Sequence, residues 1–236
     1  LNKYIHYKNR EVMRITLAIS MVLFSWIGYA QNLIKDGGFE HQHLYENNQL
    51  ARIASFGDLG ASTQIVNPKM DCAEEVKSGV WYKKASNSGY IRATVTQSDS
   101  AEGAQSLLLG ITRNSPQENL DKWETSAVLQ YLPIEHDATY QIKLSMKNNI
   151  DCKRAFVGLV SGNGYEIEGS KWVDIDGEWR EYSLTIEPNK HKTTGGYTKK
   201  LLQRGALVVG IGCEYDENGK SKQTSILIDK IEITKQ

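Results

Sequence analysis

The chain alternates between apolar and polar residues with a period of two over most of its length. Tyr140, Ile142, Leu144 and Met146 alternate with Gln141, Lys143, Ser145 and Lys147, which predicts a strand with one dry and one wet face. Tyr182, Leu184 and Ile186 repeat the pattern against Glu181, Ser183 and Thr185. Ala127, Leu129 and Tyr131 do so before Pro133, which predicts that these three face inward and Gln130 faces solvent. Residues 207–213 form a further strand, and Asp216-Glu217-Asn218-Gly219 follows as a turn that suits a hairpin, with the partner strand over 225–234. Strands are also predicted near Leu33 and over 80–83, 91–96, 105–112 and 154–160. About ten short strands, broken by Gly, Asn and Pro and without a 3.6-residue period, predict an all-β sandwich or barrel. Residues 41–77 show no strong strand, and either a short helix near 71–77 or an irregular excursion over the sandwich is expected there.

The first thirty residues follow a different rule. From Met13 a single Arg precedes an apolar stretch over 15–27, and Gly28-Tyr29-Ala30 follows. The stretch is too short to span about 30 Å of hydrocarbon, and small residues follow it, as in a secretory leader. Residues 1–12 read as upstream translation and 13–30 as a signal peptide cleaved after Ala30. Residues 31–236 read as one exported domain, periplasmic or extracellular, with no membrane span. Position 31 is Gln, so a lipoprotein anchor has no cysteine to attach to.

The charge balance excludes little. Lys and Arg total 28, as do Asp and Glu. Lys3, Lys8, Arg10 and Arg14 against Glu11 fall within the first thirty residues, so the remainder is slightly acidic and offers no basic surface for nucleic acid. Cys72, Cys152 and Cys213 are odd in number and match no zinc spacing, although export would place them where disulfides persist. Cys213 shares the alternation of Leu207, Val209 and Ile211 and is expected as a buried thiol.

Several segments, taken in order, resemble carbohydrate-binding modules of family 4/9 type, which are galactose-binding domain-like jelly rolls. They begin with Asn32-Leu33-Ile34-Lys35-Asp36-Gly37-Gly38-Phe39-Glu40 and Gly103-Ala104-Gln105-Ser106-Leu107-Leu108-Leu109. Trp123 then precedes Val128-Leu129-Gln130-Tyr131-Leu132, and Ala138-Thr139-Tyr140 precedes Leu144-Ser145-Met146-Lys147. Trp179-Arg180-Glu181-Tyr182-Ser183 and Ile226-Leu227-Ile228-Asp229-Lys230-Ile231 close the set. The resemblance implies a jelly-roll sandwich of about ten antiparallel strands that binds a glycan without catalysis. The stretch 41–77 is longer than such modules usually carry there, and Lys230 stands where a second Asp is common.

The resemblance also implies a structural calcium. Carried over by position, its ligands would be the Gly38 carbonyl, Glu40, Glu102, the Ala104 carbonyl and Asp229. Calcium takes about six to eight oxygens drawn from carboxylates and carbonyls. The last strand supports an irregularity here. Ile226 and Ile228 share one face, whereas Ile231 and Ile233 need the opposite register, which predicts a bulge near Asp229–Lys230.

Sugar recognition needs flat apolar surfaces for pyranose rings and amides or carboxylates for hydroxyls. Beyond the leader the chain holds four Trp and nine Tyr against three Phe, favouring aromatics with a polar handle. Trp123 lies in a polar loop ahead of a strand, where similar modules place a stacking aromatic, and it is expected to share one sugar site with Gln130. Tyr165 and Trp172 flank a Gly-rich turn and are loop-borne candidates. Trp81, Trp179 and Tyr182 are assigned to the core.

Two other functions are compatible with a sandwich: a polysaccharide-degrading enzyme and a protein–protein adhesion domain. Glu166/Glu168 and Asp174/Asp176 are carboxylate pairs at i,i+2, but Lys171 stands where a jelly-roll glycosidase of this pattern would carry a third acid. His41-Gln42-His43 is a weak metal-pair spacing, and no nucleophile triad or phosphate-binding loop occurs. The expected partner is a glycan or oligosaccharide, in company with a glycan-degrading enzyme.

Overall fold

Among the described residues, eleven strands arrange themselves into two stacked sheets. In this computed structural model the described residues are 31–41, 44–47, 79–84, 91–112, 125–135, 137–160, 170–188, 205–212, 216–217 and 222–236. One sheet has six strands in the order β1 (Tyr45–Asn47), β2 (Trp81–Lys84), β5 (Thr125–Tyr131), β10 (Ala206–Gly212), β7 (Arg154–Val160) and β8 (Lys171–Asp174). The other has five in the order β3 (Ile91–Thr96), β4 (Ser106–Ile111), β11 (Thr224–Lys235), β6 (Tyr140–Ile150) and β9 (Arg180–Ile186). Neighbouring strands pair antiparallel except β1, which lies parallel to β2. The fold is a jelly-roll sandwich.

The alternation seen in the sequence explains the five-stranded sheet. Tyr140, Ile142, Leu144 and Met146 of β6 point into the sandwich with Leu184 and Ile186 of β9, and the intervening polar residues line the outer side. The expected bulge is present. The pairing of β11 with β6 slips between Asp229 and Glu232, and Lys230 adopts a φ of 53°. The slip returns Ile231 and Ile233 to the same core as Ile226 and Ile228.

The six-stranded sheet is apolar on both sides, as continuous apolar runs require. Val128 of β5, Val157 and Leu159 of β7, and Leu207, Val209 and Ile211 of β10 face the other sheet. Ala127, Leu129, Tyr131, Phe156, Val160, Ala206 and Val208 form a second buried cluster with Tyr82 on the outer side. This corrects two expectations. Ala127, Leu129 and Tyr131 lie on the outer face, and Gln130 is fully buried on the inner side rather than facing solvent. The second correction concerns β10 and β11, which do not form a hairpin. β10 pairs with β5 and β7, whereas β11 pairs with β4 and β6, so the connection between them crosses from one sheet to the other.

The segment 32–41 ties the sheets together. Asn32 bridges Thr234, and the Leu33 N–H donates to the Ile233 carbonyl at 2.8 Å on the five-stranded side. On the other side the Trp81 indole N–H donates to the Asp36 carbonyl at 3.0 Å. Gly37 is required for this crossing, because a Cβ there would collide with the Ile231 carbonyl. Phe39 and Trp81 meet inside with ring centroids 5.2 Å apart, and both are buried as core residues.

Candidate functional site

Two places in the sandwich concentrate polar or aromatic chemistry. The first is the junction of the 36–41 turn, the 101–105 turn and the β11 bulge. Asp229 is fully buried there. Its Oδ2 accepts the Ala101 and Glu102 N–H groups, both at 2.9 Å, and its Oδ1 accepts the Lys230 N–H at 2.7 Å. Glu40 Oε1 accepts the Ala104 N–H at 2.8 Å and the Gln105 N–H at 3.0 Å. Gly103, with a φ of 69°, is where the turn passes closest to Glu40, and a Cβ there would run into Glu40 Oε1. A Cβ on Gly38 would lie 3.5 Å from Asp229 Oδ1 and 3.8 Å from Glu40 Cγ, so the two acids converge over that glycine. Burial holds the Asp229 carboxyl above its ordinary range. Three backbone N–H groups oppose that shift, and the nearby Glu40 charge adds to it.

This junction unites four of the five residues expected around calcium. Glu102 departs from the set, since its carboxylate binds the Lys230 ammonium at 2.7 Å and is largely exposed. Among the described residues no three His, Cys, Asp or Glu side chains gather closely enough for a metal. What the structure does bring close together are the Glu40 and Asp229 carboxylates, and a cation held here would draw on these two. Asp229 Oδ2 already accepts two N–H groups, but Oδ1 accepts one and keeps a lone pair on the oxygen nearest Gly38. A cation there would offset the like charges of Glu40 and Asp229.

The second place is the outer face of the six-stranded sheet. Tyr82 and Tyr131 meet edge to face with centroids 5.8 Å apart. The Tyr131 hydroxyl is buried and, among the described residues, has no hydrogen-bond partner, and burial raises its pKa far above the ordinary phenol range. Towards β8, Phe156 packs edge to face on Trp172 at 5.9 Å, the two residues being directly paired across the β7–β8 ladder. The Trp172 ring is half-buried, lies over Gly212 with 3.6 Å to the nearest possible Cβ, and carries the Arg154 guanidinium 4.8 Å from its centroid.

Gln130 belongs to neither place. Its amide N–H donates to the Lys35 carbonyl and its Oε1 accepts the Lys35 N–H, both at 2.9 Å. Gln130 is fully buried and commits its amide to the Lys35 backbone, so it is out of a sugar's reach and the joint site expected with Trp123 does not form through Gln130. Trp172 sits on a strand, not a loop. Trp123, Tyr165, Glu166, Glu168, His43, Cys72, Cys213 and the 71–77 stretch lie outside the described residues, as does the 1–30 leader. Cys152 is buried. Asp174 is exposed opposite Arg154 in the ladder, and Asp176 pairs with Arg180 at 2.8 Å. Trp179 is not sealed in the core as expected. It is half-buried, and its indole N–H donates to Asp99 Oδ1 at 2.9 Å. Sequence reading missed the pairing of Arg154, Phe156 and Trp172. The continuous apolar run 155–160 was the available sign that this strand has two buried faces.

Comparison with solved structures places the architecture. A candidate sugar-binding protein from Bacteroides thetaiotaomicron VPI-5482 superposes with a TM-score of 0.52 over 87% of this chain and 100% of its own, at 12% identity. The fold is shared. A family 4 carbohydrate-binding module aligns at a TM-score of 0.42 and 15% identity, over 80% of this chain and 99% of its own. The CBM22-1 xylan-binding domain of Paenibacillus barcinonensis Xyn10C aligns at 0.38 and 15%, over 69% and 89%. No family model matches the sequence, and no curated protein does so.

Proposed function

We propose that this protein is an exported, non-catalytic carbohydrate-binding module whose glycan lies against the outer face of the six-stranded sheet at its Trp172 end. The observation that carries the reading is the half-buried Trp172 ring, propped by the edge of Phe156 at one end of an apolar sheet face. Phe156 and Tyr131 on the same face are buried. An indole held in place in this way offers a pyranose C–H face a rigid surface at little entropic cost.

The proposal includes a structural calcium at Glu40 and Asp229, joining the first and last segments of the domain. It also includes export after cleavage behind Ala30 and action beside a glycan-degrading enzyme. Trp172→Ala tests the binding site directly. Titration against a panel of plant and microbial polysaccharides should show a loss of about 1–3 kcal/mol of affinity with little change in melting temperature. Unaltered affinity in that variant moves the site elsewhere. Sugar release from the panel by the wild type argues for an enzyme.

A further inference from the structure

From Arg154 we infer that the glycan bound at the Trp172 end carries uronic acid carboxylates. This rests on the reading above and specifies its ligand class. Among the described side chains on the outer face of the six-stranded sheet, Arg154 is the one cation and Asp174 the one anion. The buried side chains described on that face are aliphatic or aromatic. Arg154 and Asp174 stand directly opposite each other in the β7–β8 ladder, the position at which opposite charges ordinarily pair. Here they do not: the guanidinium lies over Trp172 instead, and among the described residues it makes no ion pair. The guanidinium carries five N–H donors, which contact with a ring does not use up as an ion pair would. That leaves a planar fork suited to a carboxylate, beside the indole on which a sugar ring would stack. A hexuronic acid carries an apolar ring face and a carboxylate on the adjoining C6. Trp172 and Arg154 match those two features side by side. Hydroxyls of a neutral glycan would also accept from this arginine, but a carboxylate adds charge and offers two oxygens to the fork.

Asp174 gives the charge argument an internal check. It is exposed and opposite Arg154, so it repels an incoming carboxylate while Arg154 attracts it. Substitutions at the two positions should therefore act in opposite directions. Arg154 is itself exposed, and its removal opens no cavity in the core.

The test is calorimetric titration of the intact protein with polygalacturonate, with alginate, and with fully methyl-esterified pectin, which keeps the galacturonan backbone but lacks its charge. Preference for one acidic polymer over the other identifies which uronate is read. Tight binding of an acidic polymer is expected, weakened at least tenfold by Arg154→Ala and strengthened severalfold by Asp174→Asn, with weak binding of the ester in every variant. Arg154→Lys should recover part of the loss, since it keeps the charge but not the fork. Equal affinity for ester and acid, or an equal loss for both in Arg154→Ala, overturns the uronate inference and leaves a neutral-glycan site standing. Unchanged acid affinity in both Arg154→Ala and Asp174→Asn overturns it too. Failure of every glycan, charged or neutral, overturns the binding function itself and this inference with it.

Discussion

The carboxamide of Gln130 holds the backbone of Lys35 from both sides, accepting its N–H and donating to its carbonyl at 2.9 Å each. This one side chain replaces the pair of ladder bonds that a neighbouring strand would have supplied. It fastens the 32–41 segment to the six-stranded sheet while Asn32 and Leu33 fasten it to the other.

Gln130→Leu keeps the volume and removes both bonds, so the part-buried Lys35 N–H and carbonyl lose their partners and the Leu side chain faces them instead. A loss of about 2–4 kcal/mol is expected in urea unfolding, with no selective effect on glycan affinity. Wild-type stability in that variant would show that the segment is held by other contacts.

Legibility in the sequence followed how wet each strand is. β6 and β9 have one polar face, so their alternation gave register and direction together. In β5 both Ala127/Leu129/Tyr131 and Val128/Gln130/Leu132 are buried, so alternation carried no sign and the lone amide misled. The strand β1 has three residues and β8 four, too few for a period to show. The bulge at Asp229 was readable because the register of isoleucines reverses around it, whereas the approach of Glu40 to Asp229 was expected only from the resemblance. Arg154 and Trp172 are brought together only by the β7–β8 ladder.

Tyr131→Phe separates stability from binding. The hydroxyl is buried with no partner among the described residues, so removing it should leave the melting temperature unchanged or raise it. Glycan affinity should be unchanged, because a hydroxyl closed off from solvent meets no ligand. A clear loss of stability would reveal a hydrogen bond to the hydroxyl within the protein.

For the acid junction, chelation should lower the melting temperature of the wild type, because a cation bound only to the native state stabilises it by mass action. Asp229→Ala leaves the Ala101, Glu102 and Lys230 N–H groups without their acceptor whether or not a metal binds, so it is a poor test alone. Asp229→Asn keeps an acceptor and removes the charge. Its melting temperature should be insensitive to chelator, while the wild type shifts by several degrees. Identical melting curves for the wild type with calcium and with chelator end the calcium proposal.

Asp99 supplies the pH dependence. Its Oδ2 accepts from the Lys147 ammonium at 2.8 Å and its Oδ1 from the Trp179 indole, joining the turn after β3 to β6 and to the approach to β9. The Lys147 hydrogen bond, then that of Trp179, holds the carboxyl below its ordinary value of 3.8, against a smaller effect of burial. A depressed native pKa means that the unfolded chain takes up the proton first as the pH falls. The stabilisation is therefore complete above the unfolded value and is lost progressively below it, until the native carboxyl is protonated as well. The group is partly exposed, which screens the pair and keeps the effect modest. Asp99→Asn should accordingly melt below the wild type at neutral pH, and the gap should close as the pH drops through and below 3.8. Lys147→Met should show the same closing gap, because it removes the largest cause of the shift. A gap that stays constant down to the acid limit would mean that Asp99 acts through its shape and hydrogen bonds alone, with no contribution from its charge.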